Sequence, residues 1–344
     1  MYAIRLHAFG PAENLRYDTV PDPVPGPGQV RVAVAAAGVH LVDTALRRGE
    51  PGPYPIPDLP TIPGREVAGT VDRVGADVDP AWLGKPVVAH LGAVPGGYAE
   101  LAVTDVARLH DIPANLDAAA AVAIIGTGRT TMGILQFTDL GPDDVAIVTA
   151  AAGGIGTLLV QYAKNAGATV IGLAGGPAKT ELVRANGADI ALDYRQADWP
   201  DRVRDRLGGR QATVLFDSVG GSITPAALDL LGPGGDHVIY GWSSGEPARI
   251  GDAEAERRGI RSETVVGPPM LERVGGDIRV LEKRAMAEAA AGSWKPAVTR
   301  FPLAEAGTPP PARGKSGTTR EVGRGARPAS PRARSRGRRP RRPG

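Results

Sequence analysis

Gly153 and Gly156 stand where an apolar run, Val145–Thr149, meets a segment of helical periodicity, Ile155–Ala166. Small residues at such a junction suit one chemistry. They let backbone approach a pyrophosphate, while the free N–H groups and positive dipole end of the helix start attract the anion. Ala152, Gly153, Gly154, Ile155 and Gly156 are therefore read as a phosphate-binding turn, with Ala150 where the usual fingerprint has its first glycine. Plain helix–strand packing also uses small residues, so the context has to decide.

Enzymes that use NAD place an acid about twenty residues past the glycines, on the ribose 2′-hydroxyl. Here the second strand ends in Gly172–Leu173–Ala174–Gly175–Gly176, without an acid, and Lys179 follows on the next helix. An open pocket at Gly175 beside an ammonium suits a 2′-phosphate, so NADP(H) is the expected cofactor. Tyr194, after the short strand Ile190–Asp193, is a second candidate at the adenosine end. The plain alternatives are a solvated first-turn lysine and a surface aromatic. Asp217 and Ser218 follow another buried strand and either face the cofactor or cap the next helix.

The elements that must position these residues change character along the chain. Up to about residue 112, short alternating runs such as Gln29–Ala35 and Glu66–Val74 read as a compact β domain. Beyond it, strands (Val145–Thr149, Thr169–Leu173, Val214–Asp217, His237–Tyr240) alternate with helices (Ile155–Ala166, Lys179–Asn186, Pro225–Leu231). That alternation predicts an α/β fold with a doubly wound parallel sheet whose ligands lie at the strands' carboxyl ends. Val280–Ala291 reads as a last helix and Trp294–Phe301 as strand-like.

The chain has no cysteine, which removes disulfides, thiolate nucleophiles and Cys-ligated zinc together. No apolar run reaches membrane-spanning length and the start lacks a signal-peptide pattern, so a cytoplasmic protein is expected. The net charge of +3 hides an asymmetry: from Gly307 onward there are eleven Arg, Lys315 and a single acid, Glu321, so the preceding residues are acidic at about −8.

Several motifs in order, AGVHLVDTALRRG (37–49), LPTIPGREVAGTVDRVG (59–75), GGYAELAV (96–103), VTAAAGGIGTLLVQYAK (148–164), FDSVGG (216–221) and PAVTRFPLAEA (296–306), give the chain a resemblance. It resembles the medium-chain dehydrogenase/reductase superfamily and, within it, the zinc-free quinone oxidoreductases related to zeta-crystallin. The resemblance covers Met1 to about Ala306. It implies a GroES-like catalytic domain (1–112 and 262–306), an inserted Rossmann domain (113–261), NADPH in the cleft between them, and a homodimer.

Zinc-dependent relatives carry a metal-binding His before the Glu of the segment matching Gly64–Arg65–Glu66. Arg65 there, with no Cys near Gly38, leaves no such site, so no metal is expected. His40 stands where many quinone reductases have Asn, as a proton donor, a ring near nicotinamide or a packed residue. Asp43 is expected to orient the cleft, and Tyr54 matches a Tyr of the family's substrate cleft. For the nicotinamide half the resemblance carries over Thr127, the strand end Tyr240–Gly241–Trp242–Ser243, and Val265–Val266–Gly267. Trp242 departs from a small polar residue and should narrow the acceptor pocket.

Without metal, the reaction is one the cofactor can do almost alone: hydride transfer to an electron-poor acceptor, with the protein supplying position and a polar contact to the developing oxyanion. A quinone fits, and a conjugated enal or enone is the alternative. Family members close with a helix and a Gly-Lys-Val-Val-type strand, whereas residues 307–344 are an Arg/Pro/Gly tail expected to be disordered. Three readings compete for it: a nucleic-acid-binding arm on a redox-sensing body, a solubilising extension, or translation in a shifted frame. Residues 320–327 read one base later can encode a family-like strand, although that frame meets no stop codon before Gly344.

Overall fold

The computed structural model describes residues 1–51, 54–245, 250–307 and the backbone of 319–321. β1 (Tyr2–Leu6) and β2 (Leu15–Thr19) form an antiparallel pair. β3 (Gln29–Gly38) leads into α1 (Leu41–Arg48), and then β4 (Glu66–Val74), β5 (Pro86–His90), β6 (Leu101–Asp105) and β7 (Leu109–Asp111) follow. These strands make an antiparallel sheet in the order β3-β4-β5-β7, with β6 on the other edge of β3.

Val30, Val32 and Val34 alternate inward and bury with Val67, Val71, Val87 and Ala89; each valine moved out of water contributes roughly 1.5–3 kcal/mol. A register shift between Val34 and Ala36 reverses the alternation. Ala36 therefore turns to the other face and packs with Ala68 and Val88 against the second half of the molecule.

That half begins with α2 (Ala118–Ile125) and α3 (Thr127–Leu135), which meet at a 41° bend. It continues as β8 (Val145–Val148), α4 (Gly154–Asn165), β9 (Thr169–Ala174), α5 (Pro177–Ala185), β10 (Ile190–Asp193), α6 (Trp199–Leu207) and β11 (Ala212–Asp217). Then come α7 (Ile223–Leu228), β12 (Leu231–Ile239), α8 (Asp252–Arg258), β13 (Arg261–Thr264), α9 (Pro268–Glu272) and α10 (Arg279–Ala290). The sheet is parallel throughout, in the order β10-β9-β8-β11-β12-β13. Its order reverses beside β8, so α4 starts at the switch point where such sheets bind ligands.

The expected α/β architecture, a GroES-like β unit with a doubly wound parallel sheet, is the observed one. Four details differ. Helix α7 ends at Leu228 rather than Leu231, because Leu231 already opens β12. Trp294–Phe301 forms no strand: Trp294 is sunk into the core beside Gly128 and Ala285, and Pro296 lacks a ladder donor. The return to the antiparallel unit comes later than residue 262. β13 is still the edge of the parallel sheet, α10 packs on α3 and α2, and only Leu303 and Ala306 rejoin the β core.

The fourth difference concerns the tail. Thr319–Glu321 forms a short strand, β14, antiparallel to Ala36–Gly38 of β3, beyond the end of β6. Ladder bonds join backbone groups, so an open strand edge accepts an extended segment whatever its side chains. The rest of the expected basic arm, and the nucleic-acid contact suggested for it, lies outside the described residues. Among these residues, no single helix is long and apolar enough to cross a membrane.

Candidate active site

The phosphate turn is built by close approach. A Cβ on Gly156 would stand 2.5 Å from the Ala150 carbonyl oxygen and 2.8 Å from Ala151 Cα, so α4 packs on β8 only with glycine there. Ala150 pays for the missing first glycine with a left-handed backbone, φ 46°. Gly153 begins α4 with no side chain capping the first-turn N–H groups. A Cβ on Gly154 would lie 3.2 Å from the Thr127 methyl, which sets Thr127 against the turn. Ala152 is buried, while Gly154 and Ile155 are half-buried. Uncapped donors beside a surface stripped of Cβ atoms fit a pyrophosphate.

At the carboxyl end of β9, the Tyr194 hydroxyl lies 3.2 Å from where Gly175 would carry a Cβ, so the phenol covers that glycine. Lys179 is half-buried in the first turn of α5 and makes no ion pair among the described residues. Arg195, which the motif reading missed, lies over Gly176 and grips Asp193 through two 3.1 Å bonds. Those bonds hold the Asp193 carboxyl down to about 2. The available signal was a cation directly after Tyr194 at the end of a parallel strand.

The nicotinamide half needs a correction at Asp217. Its side chain is fully buried and turned inward: it accepts from Thr149 Oγ1 (3.1 Å), the N–H groups of Val219 (2.9 Å) and Gly220 (3.3 Å), and the Thr224 hydroxyl, with His237 Nε2 at 3.4 Å. A carboxylate so occupied fastens the loop after β11 and offers nothing to a cofactor. Ser218 is half-buried and donates its N–H to Thr149 Oγ1 at 2.9 Å.

Tyr240 is likewise a core residue. Its hydroxyl approaches the Thr149 carbonyl at 3.5 Å, and burial pushes the phenol up. Gly241 faces Ser218, Ser243 donates its N–H to the Ser218 carbonyl at 2.9 Å, and Trp242 is 46% exposed. The Val265 N–H is taken by the Ile239 carbonyl, whereas Val266 is half-buried and Gly267 exposed at the start of α9.

The antiparallel unit carries a polar cluster that meets the second half of the molecule at Gly126. His40 begins α1, and its Nε2 lies 2.5 Å from Glu66 Oε2 on β4. Burial opposes a charge on His40, but the Glu66 carboxylate and its hydrogen bond prevail and lift the imidazole to about 9. The same contact overcomes burial to hold Glu66 low. Glu66 also presses on Gly126, where a Cβ would collide with the carboxylate, and the next residue is Thr127. The polar pair and the phosphate turn are thus joined through Gly126, Thr127 and Gly154.

Asp43 accepts the His40 N–H at 2.9 Å and the Tyr98 hydroxyl at 3.1 Å, with Arg65 Nη1 at 3.4 Å. Burial raises its carboxyl, against the pull of His40. The Arg65 guanidinium stacks 4.3 Å from the Tyr54 ring, and the Tyr54 hydroxyl reaches His90 Nε2 at 3.5 Å. Burial and then Arg129 push His90 down to about 4, leaving it neutral. Arg129 is anchored by Glu282 Oε1 at 3.1 Å, and Glu282 Oε2 holds His110 at 2.9 Å. The sequence alone pointed to His40, Asp43 and Tyr54; Tyr98 lies inside the run GGYAELAV but was not singled out, and His90 and Arg129 sit in no local motif. Among the described residues no group of three or more His, Cys, Asp or Glu side chains is disposed to hold a metal.

Comparison with known proteins agrees with this geometry. Residues 26–114 match the model of the alcohol dehydrogenase GroES-like domain, and residues 154–272 match that of the zinc-binding dehydrogenase domain. A 2-haloacrylate reductase of a Burkholderia species is 32% identical over 271 residues, covering 77% of this chain and 80% of that protein. The quinone oxidoreductase of Pseudomonas aeruginosa is 35% identical over 243 residues, 70% of this chain and 74% of that one. Among solved structures, the quinone oxidoreductase of Escherichia coli complexed with NADPH superposes with a TM-score of 0.78 at 26% identity, covering 93% of this chain and 100% of that one. The chain belongs to the quinone oxidoreductase family of the medium-chain dehydrogenase/reductase superfamily.

Proposed function

We propose that this chain is an NADPH-dependent reductase that delivers hydride to a quinone-like acceptor. One observation carries the reading: the uncapped turn of α4 touches Thr127, which is one residue from the glycine pressed by the Glu66–His40 pair. A dinucleotide held at that turn extends toward the polar cluster. The bound cofactor supplies the hydride; the residues of this chain bind, orient and stabilise charge.

Lys179 and Arg195 favour a 2′-phosphate, with Tyr194 over Gly175 as a wall for the adenosine end. His40, kept cationic by Glu66, stabilises the oxyanion that develops as hydride arrives. Asp43 fixes His40 through its N–H, and Tyr54, stacked on Arg65, presents its hydroxyl near His90 as a polar contact for the acceptor. A homodimer is part of the proposal: β13 is an edge strand with Arg261, Glu263 and Thr264 exposed, a shape that pairs with its own copy. A cytoplasmic setting suits a consumer of NADPH.

Product analysis tests the acceptor. With NADPH and equal amounts of 1,4-benzoquinone and a conjugated enal, hydroquinone should form faster than the saturated aldehyde. Saturated aldehyde as the dominant product would make the chain a carbon–carbon double-bond reductase instead.

A further inference from the structure

His90 closes β5 and stands directly across the β4–β5 ladder from Glu66, so the two side chains share one face of the sheet. Glu66 takes His40, and His90 takes Tyr54. The backbone decides which way the second contact runs. Gly92, left-handed at φ 78°, turns the chain back and donates its N–H to His90 Nδ1 at 3.0 Å. A ring nitrogen that accepts an N–H holds a lone pair and no hydrogen. The ring is therefore neutral with its one hydrogen on Nε2, and burial, which pushes its titration down to about 4, agrees.

Among the described residues Nε2 has one hydrogen-bond partner, the Tyr54 hydroxyl at 3.5 Å. Because Nε2 donates, the phenol oxygen accepts, and the phenol's own hydrogen is left for another partner. Hydrogen bonds of catalytic groups are commonly long before substrate binds and close when it does. The Arg65 guanidinium, 4.3 Å from the ring centroid, holds the phenol in place from its face.

We propose that His90 is a positioning residue that makes Tyr54 the hydrogen-bond donor to the acceptor's oxygen. The inference rests on the reading of Tyr54 as the acceptor contact. An acceptor that takes up hydride becomes an oxyanion, and the Tyr54 O–H stabilises that charge. Tyr54 keeps its hydrogen, since His90 could replace it only by becoming an imidazolate. The proton that completes the product comes from water.

The test begins with the full chain labelled with 15N in histidine, whose ring couplings are read by NMR at pH 7. His90 is assigned as the signal lost in His90→Gln. Its Nε2 should carry the hydrogen and its Nδ1 none. An Nδ1–H ring, or a ring protonated on both nitrogens, would overturn the inference.

Reduction of 1,4-benzoquinone by NADPH then shows whether His90 acts through Tyr54. Tyr54→Phe should lower kcat on the order of 100-fold. His90→Phe should lower it about tenfold through lost orientation and leave the NADPH dissociation constant within about twofold. His90→Gln, whose amide can donate in place of Nε2–H, should recover most of that loss. Adding His90→Phe to Tyr54→Phe should cost nothing further, because the histidine has no other route to the acceptor. The same tenfold loss in both backgrounds would make His90 a merely structural residue and overturn the proposal. If His90→Phe fails to fold, His90→Met takes its place in the comparison. No reduction by the unaltered chain would overturn the proposed function and this inference with it; activity with an Nδ1–H ring, or with additive losses, would overturn the inference alone.

Discussion

His40 Nε2 lies 2.5 Å from Glu66 Oε2, tying the half-buried start of α1 to a carboxylate that is 2% exposed at the start of β4. The pair decides the charge of the cleft. A buried imidazole alone would be neutral at pH 7, and a buried carboxyl alone would hold its proton; together each keeps the other ionised. Glu66→Gln should therefore drop the His40 titration from about 9 to below the ordinary value of about 6.5. Imidazole NMR shifts against pH check this, and an unchanged midpoint would show that Glu66 is not the cause.

Stability should peak near pH 6.5 because two histidines are shifted in opposite senses. His40, raised to about 9, contributes fully below its unfolded value and loses that contribution as pH rises through 9. His90, lowered to about 4, contributes fully above the unfolded value and loses it as pH falls through 4. Urea denaturation at half-unit steps between pH 4 and 10 should trace a maximum. The alkaline limb should flatten in His40→Asn and the acid limb in His90→Gln.

Ala150 and Gly156 have opposite defects to expose. Ala150→Gly relieves a left-handed alanine and should stabilise the fold by about 1 kcal/mol. Gly156→Ala forces a Cβ into the Ala150 carbonyl and should cost about 2–3 kcal/mol, with loss of NADPH binding. Denaturation midpoints and cofactor titration of both variants check the pair.

Asp217 should behave as a structural residue. Asp217→Ala strips acceptors from Thr149, Thr224 and two backbone N–H groups, and about 3–5 kcal/mol of stability should go with it. Thr224→Val, which removes one of those donors, should cost about 1–2 kcal/mol and leave the NADPH dissociation constant within about twofold. A large loss of NADPH affinity in folded Thr224→Val would restore a cofactor role for this network.

Lys179→Ala and Arg195→Ala should each weaken NADPH by about tenfold and leave NADH nearly unchanged, since only the 2′-phosphate distinguishes the two. Fluorescence titration of each variant with both nucleotides reads this directly.

The legible parts of the molecule were local. Strand–helix alternation and the Gly153–Gly156 spacing predicted β8, the turn and α4, because periodicity and small residues act over a few positions. His40 and Asp43 were legible for the same reason, three residues apart on one helix start. Glu66 was visible as part of a motif but not as the partner of His40, because only the packing of α1 against β4 brings residues 26 positions apart together. His90 and Arg129 reach the cleft from still more distant elements. Asp217 misled because the end of a parallel strand usually faces ligand, whereas here Thr149, Thr224 and His237 turn its carboxylate inward. Thr319–Glu321 was illegible because its pairing with β3 uses backbone alone.

The most direct test of the account is the ratio of kcat/KM for reduction of 1,4-benzoquinone with NADPH and with NADH. A selective 2′-phosphate site at Lys179 and Arg195 predicts a ratio of about ten or more in favour of NADPH. Equal values, or a preference for NADH, would contradict it.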